Sequence, residues 1–150
     1  MSSSVLYMSM SLDGFITGPD DDVGQGLGRG GERLHAWLGD GDGVAGFRPS
    51  GPSGEIFDEV MATGAVLVGR RTFDLAGRWD GDHHGVPIFV PTRGEPPAPA
   101  SDLVNYVTDG IESAMSQASG QQATRTCLCT APTWRSRACT RACSTSSKST

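Results

Sequence analysis

The run Ala65-Val66-Leu67-Val68-Gly69-Arg70-Arg71-Thr72 constrains this chain more than any other stretch. Consecutive apolar residues with no polar alternation suit a strand covered on both faces. Such strands sit in parallel sheets, whose neighbours must be joined by crossover connections, usually helices. The run ends in a glycine, two guanidiniums and a hydroxyl. An α/β layer architecture is therefore expected before any other element is placed.

The remaining patterns agree. Val5 to Leu12 alternates loosely and reads as a first strand, ending in Asp13-Gly14. The Gly- and Asp-rich stretch from Asp20 to Gly31 is expected to be exposed. Glu32 to Leu38 reads as a short amphipathic turn or helix, followed by a Gly-rich loop from Gly39 to Gly54. Glu55 to Thr63 carries an apolar stripe of Ile56, Phe57, Val60 and Met61 at helical spacing, with Gly64 as its stop. A second helix or turn opens at Gly69–Asp74. Strands are expected at Val86–Val90 and Val104–Val107, and a helix at Ile111–Ala118, with Ile111, Ala114 and Met115 inward and Asp109 as its cap. The order predicts an α/β sheet built with crossovers.

The composition breaks near Ser119. Before it stand seven basic and seventeen acidic residues, a formal charge of −10; after it stand five basic residues and no acid. An acidic body holds a polyphosphate backbone poorly, so nucleic acid is not an expected partner. No stretch approaches the roughly 20 apolar residues of a membrane helix. The N-terminus has no basic flank before its apolar run, which argues against a signal peptide and for a cytoplasmic address. From Ser119 to Thr150 there is no Val, Ile, Phe or Met. The chain therefore divides into a folded body at 1–118 and a tail at 119–150, expected to be disordered because it buries too little apolar surface to offset its ordering entropy. Cys127, Cys129, Cys139 and Cys143 are not spaced as a zinc site, so no metal is expected.

A reading-frame change explains the tail. Back-translated with G or C at third positions and read from the third base, it yields a Val-rich strand, a glycine turn and an amphipathic helix. On this account the tail supplies no central strand, and one found there would count against both the boundary and the frame.

Three motifs carry candidate chemistry. Gly69, Arg70, Arg71 and Thr72 follow a buried strand, where backbone donors, a helix start and guanidinium forks favour an anion. The same residues also suit a plain strand-to-helix turn with solvated arginines. Thr92 and Arg93 follow the strand ending at Val90, and carboxyl ends of strands are where α/β sheets bind ligands. Asp13 stands at the end of the first strand, where turn chemistry is the simpler reading.

Together, Met10-Ser11-Leu12-Asp13-Gly14-Phe15-Ile16-Thr17-Gly18-Pro19, Val68-Gly69-Arg70-Arg71-Thr72-Phe73-Asp74 and Val107-Thr108-Asp109-Gly110-Ile111-Glu112-Ser113-Ala114 resemble one family. It is the dihydrofolate-reductase-like family, related to the C-terminal reductase domain of the bifunctional riboflavin-biosynthesis deaminase/reductase. The likeness spans about Val5 to Ala118 and implies a mixed, mostly parallel sheet flanked by helices, incomplete at its C-terminal end. It implies NADPH as hydride donor. Gly69, Arg70, Arg71 and Thr72 would hold cofactor phosphates, with Arg70 or Arg71 on the 2′-phosphate and Thr92 and Arg93 near the adenosine half. Gly14, Phe15, Ile16 and Thr17 would lie near nicotinamide and substrate, with Asp13 as the candidate catalytic residue. The family usually has a basic residue where Phe15 stands, which disfavours a ribityl-phosphate pyrimidine. Asp58 and Glu59 lie on the helix of the family's buried carboxylate but read as exposed acids. The family's glycine pair after the strand that follows the Ile111 helix is missing.

The expected activity is NAD(P)H-dependent hydride transfer to a pterin-like or pyrimidine-like small molecule, with low turnover from this chain. The expected partner is that small-molecule substrate, with no nucleic acid and no membrane; a homodimer stays open. Two alternatives remain: a catalytically inactive nucleotide-binding member of the same fold, and an interaction protein with a basic tail.

Overall fold

A computed structural model of the chain describes residues 4–38, 48–121 and the backbone of 127–130. The part of the expected Gly-rich loop at 39–47 and the tail residues 131–150, with Cys139 and Cys143, lie outside the described residues. Strands β1 (Ser4–Leu6), β2 (Ala65–Val68), β3 (Ile88–Pro91), β4 (Val104–Val107) and β5 (Cys127–Thr130) form one sheet in the order β1-β5-β2-β3-β4. All of its pairings are parallel. Helices α1 (Gly51–Met61), α2 (Arg70–Leu75) and α3 (Ile111–Gly120) flank the sheet, with 3-10 helices at Gly31–Leu38 and Gly77–Gly81. The α/β expectation holds, and the arrangement is consistent with an incomplete dihydrofolate-reductase-like sheet.

The unbroken apolar run of β2 has the predicted cause. Ala65 and Leu67 face one way, into a cluster with Phe89, Val107 and the α3 residues Ala114 and Ala118. Val66 and Val68 face the other way, into a cluster with Phe73, Val86, Ile88, Val90 and Val104. Tyr7, Val60, Trp79 and Tyr106 pack on that second cluster. A two-residue side-chain period divides each strand between two covered faces, so β2 and β3 have no solvent side.

Several expectations need correction. Cys127–Thr130, inside the segment expected to lack packed structure, is a central strand paired to both β1 and β2. Averaging over the tail hides Cys-Leu-Cys-Thr, a short stretch that suits a strand once partners exist on both sides. The boundary at 118 is overturned there, and the strand also counts against the frame account, which required its absence. Helix α3 likewise continues to Gly120.

The first strand is only Ser4–Leu6. Helix α1 begins at Gly51, four residues earlier than the stripe implied, with a proline in its first turn. Of its expected apolar stripe, Ile56 and Met61 are exposed while Val60 packs inward. Ile111 is also exposed, and Ala118 takes the inner position. Asp109 does not cap α3: the N-cap is Gly110 at φ 106, and the Asp109 carboxylate accepts from the Ser113 hydroxyl at 2.7 Å.

Candidate functional site

Because the strands are parallel, the segments after β1, β2, β3 and β4 all leave the same edge of the sheet. That edge collects the sequence-predicted residues, though not all at one point. At the end of β2, Gly69 has φ −65 and ψ 142, extended backbone that any residue can adopt. Its glycine therefore answers no demand of the local backbone. Helix α2, which follows, is only six residues long, so its dipole adds less to anion binding than the motif suggested.

Arg70 is fixed by three neighbours. Its Nε donates to Asp74 Oδ2 at 2.6 Å, its Nη1 lies 3.5 Å from Thr92 Oγ1, and its guanidinium carbon stands 5.4 Å from the centroid of the Tyr106 ring. Asp74 also accepts from Arg78 Nε at 3.0 Å, so one carboxylate is shared between two guanidiniums. The Arg70–Asp74–Arg78 group keeps a net positive charge. Thr92 is held by its backbone N–H, which donates to the Val107 carbonyl at 2.9 Å. The ends of β2, β3 and β4 are thus brought together around Arg70.

Arg71 points elsewhere. Its Nη2 donates to Asp21 Oδ2 at 2.8 Å and lies 3.4 Å from the Asp21 carbonyl. Arg93 is exposed. Two buried hydroxyls, Thr72 Oγ1 on α2 and Tyr106 Oη on the ring beside Arg70, have no hydrogen-bond partner among the described residues. A buried hydroxyl left without a partner costs stability.

The segment leaving β1 builds a groove of about 250 Å³ lined by Tyr7, Met8, Ser9, Met10, Leu34, Trp37 and Ile56. Trp37 Nε1 donates to Ser9 Oγ at 3.0 Å, and the Tyr7 and Trp37 rings meet edge to face with centroids 6.0 Å apart. Burial pushes the Tyr7 hydroxyl above its ordinary pKa of 10.0. The lining mixes apolar side chains with the Tyr7 and Ser9 hydroxyls.

Asp13 lies outside that groove lining. It is exposed and accepts from Ser11 Oγ at 2.6 Å, in a turn where Phe15 N–H also donates to Ser11 Oγ. Phe15 and Thr17 line a separate depression with Gly18 and Pro19, Ile16 is half-buried, and Gly14 takes φ 90 in the turn. Asp58 is exposed and held by both oxygens on Arg48, at 2.7 and 2.5 Å; these bonds keep its carboxyl below the usual range.

Sequence reasoning missed Tyr106, Asp74, Arg78 and the Tyr7–Trp37 wall. Tyr106 sits in an ordinary strand pattern, and only the pairing of Val90 with Tyr106 sets its ring beside the end of β3. Asp74 and Arg78 had a readable signal: with Arg70 they stand at i, i+4 and i+8.

No family model matches the sequence, and no curated protein matches it. Among solved structures the chain is similar to one described as a riboflavin biosynthesis protein from Shewanella sp. PV-4. The identity is 18% and the TM-score 0.49, over 84% of this chain and 63% of that one. The chain spans less than two thirds of that structure, and a likeness this distant assigns no residue a role.

Proposed function

We propose that this chain is an NADPH-binding, reductase-type domain that acts on a planar, pterin-like or pyrimidine-like small molecule. The observation that carries the reading is Arg70, set over Tyr106, whose hydroxyl is unpartnered, and beside Thr92 at the joint carboxyl end of β2, β3 and β4. A guanidinium at the joint end of three strands suits a phosphate group. Arg70, Arg71 and Thr72 would hold the phosphates, and Thr92 and Arg93 would lie near the adenosine half. The Tyr7–Trp37 groove, on the same sheet edge, would take the heterocycle. When bound, NADPH would supply the hydride. The chain's own part is to orient two flat ring systems and to exclude water from the apolar groove.

One observation favours a second reading, a nucleotide-binding member without turnover. None of the described groove-lining residues is an acid, and Asp13 is spent on Ser11 in an exposed turn. No carboxylic acid among the described lining residues then stands ready to deliver a proton to the substrate.

The test is fluorescence titration of NADPH and NADH with the wild type and with Arg70→Ala plus Arg71→Ala. Each lost charge-assisted contact is worth roughly 1.5–3 kcal/mol, so the double variant is expected to lose at least tenfold in NADPH affinity and far less in NADH affinity. Equal losses would show that the arginines do not read the 2′-phosphate. NADPH oxidation with candidate heterocycles then separates an active from an inactive domain.

A further inference from the structure

The residues from Gly18 to Gly31 form a loop tied mainly to itself. Gly18 N–H donates to the Leu27 carbonyl at 2.7 Å and Arg29 N–H to the Pro19 carbonyl at 2.8 Å. Asp22 and Gln25 close a tight turn, and Arg29 pairs with Asp20 at 2.6 Å. Gly28 takes φ 68, a conformation that disfavours other residues. These bonds make the loop a unit that can move as one piece.

Its attachment to α2 is different in kind. Near the end of that helix, Gly26 lies so close that an added Cβ would stand 2.2 Å from the Leu75 carbonyl oxygen. Near the start, the fastening is the Arg71–Asp21 pair, across fifty positions of sequence. The side chain of Arg71 is 64% exposed and that of Asp21 only 25%. A solute can therefore reach the arginine while the acid stays tucked beneath it.

We propose that Asp21 is a built-in competitor for Arg71, so that an arriving phosphate group displaces its carboxylate and frees the 18–31 loop from α2. The inference rests on the reading of Arg71 as an anion-binding residue. A phosphate carries more charge than a carboxylate and offers more acceptor oxygens, so it can replace Asp21 on the same guanidinium fork. The exchange breaks no covalent bond and moves no proton.

The experiment titrates inorganic phosphate into the full chain and into Asp21→Asn, Asp20→Asn and Arg71→Ala, following amide signals of Gly26 and Gly28 by NMR. Asp21→Asn keeps the side-chain shape and removes the charge. It is expected to bind phosphate roughly two- to five-fold more tightly, the range set by an exposed ion pair. Phosphate is expected to move the Gly26 amide of the wild type toward its position in Asp21→Asn. Asp20→Asn is expected to leave the affinity unchanged, because Asp20 pairs with Arg29. Equal tightening by both variants would reduce the effect to diffuse charge and overturn the proposal. Weaker or unchanged binding in Asp21→Asn, with loss of binding in Arg71→Ala, would overturn it while sparing the anion site. Phosphate binding that ignores Arg71→Ala would overturn both.

Discussion

Strands β2 and β3 and the loop at 18–31 are held by opposite means. In the strands, Val66, Ile88 and Val90 are fully buried between two covered faces, and Phe73 of α2 is fully buried against them. The loop instead relies on backbone hydrogen bonds, glycines and ion pairs, of whose four side chains all but Asp21 remain largely in water. Burial of a large apolar side chain contributes about 1.5–3 kcal/mol, while an exposed ion pair contributes about 0–1 kcal/mol. The contrast separates tasks: the strands fix where Arg70 and Thr92 stand, and the exposed ion pairs add little to the hold on the loop.

The strongest test of this contrast is Phe73→Ala. Phe73 meets Trp79 and Tyr106 edge to face, with centroids 5.7 and 6.3 Å apart. The variant is expected to lose about 3–5 kcal/mol in urea unfolding, and a loss below 1 kcal/mol would show that this face of the sheet is not tightly packed. Next comes Leu128→Pro, which removes a backbone donor from the middle of β5. Proline is not tolerated in a central strand, so a loss of about 3 kcal/mol or more is expected, with a lower urea midpoint. An unchanged midpoint would mean that β5 is not paired, and would reinstate the tail boundary at 118. Sequencing the gene across the Ala118–Ser119 junction decides the frame directly.

A smaller effect is expected from pH, at the opposite edge of the sheet. His83 and His84 meet through their Nδ1 atoms at 2.6 Å, an arrangement that needs at least one of those nitrogens unprotonated. His84 Nε2 also lies 3.2 Å from the Thr63 carbonyl, tying the segment before β3 to the turn before β2. Burial, then the neighbouring His84, lowers His83 to about 4, and burial lowers His84. Both groups bind protons more readily unfolded than folded. Their contribution is therefore complete above about pH 6.5 and is lost as pH falls toward 4, by about 3 kcal/mol at most for His83. Replacing His83 with Gln should flatten the stability profile in that window; an unaltered slope in urea melts from pH 7 to 4 would exclude the pair as its source. The smallest effect is expected from Thr72→Val. Replacing an orphaned buried hydroxyl with an apolar isostere is nearly neutral or stabilising, by about 0–1 kcal/mol, while phosphate affinity should fall. Destabilisation by more than this range would reveal a partner for the hydroxyl.

Much of the fold was legible because its strands are short and apolar. β2 and β4 fall where the sequence placed them, and α2 begins one residue after the glycine of its motif. The 3-10 turn at Gly77–Gly81 was not legible: Arg78, Trp79 and Asp80 hold positive φ there, which no side-chain pattern announces. Trp79 packing on the core and the bond from Arg78 to Asp74 supply the compensation. The candidate site was legible in part. Arg70 and Thr92 do meet, whereas Arg71 turns to Asp21 and Asp13 to Ser11.

By itself the sequence determined that a strand covered on both faces delivers Gly69, Arg70, Arg71 and Thr72 to one edge of an α/β sheet, because apolar runs and turn residues act locally. Tertiary structure alone decided which guanidinium faces Tyr106, which one a distant acid engages, and that Cys127–Thr130 completes the middle of the sheet. Those outcomes depend on partners far apart in sequence, and a strand as weak in composition as β5 gains its hydrogen bonds only when β1 and β2 are already in place beside it.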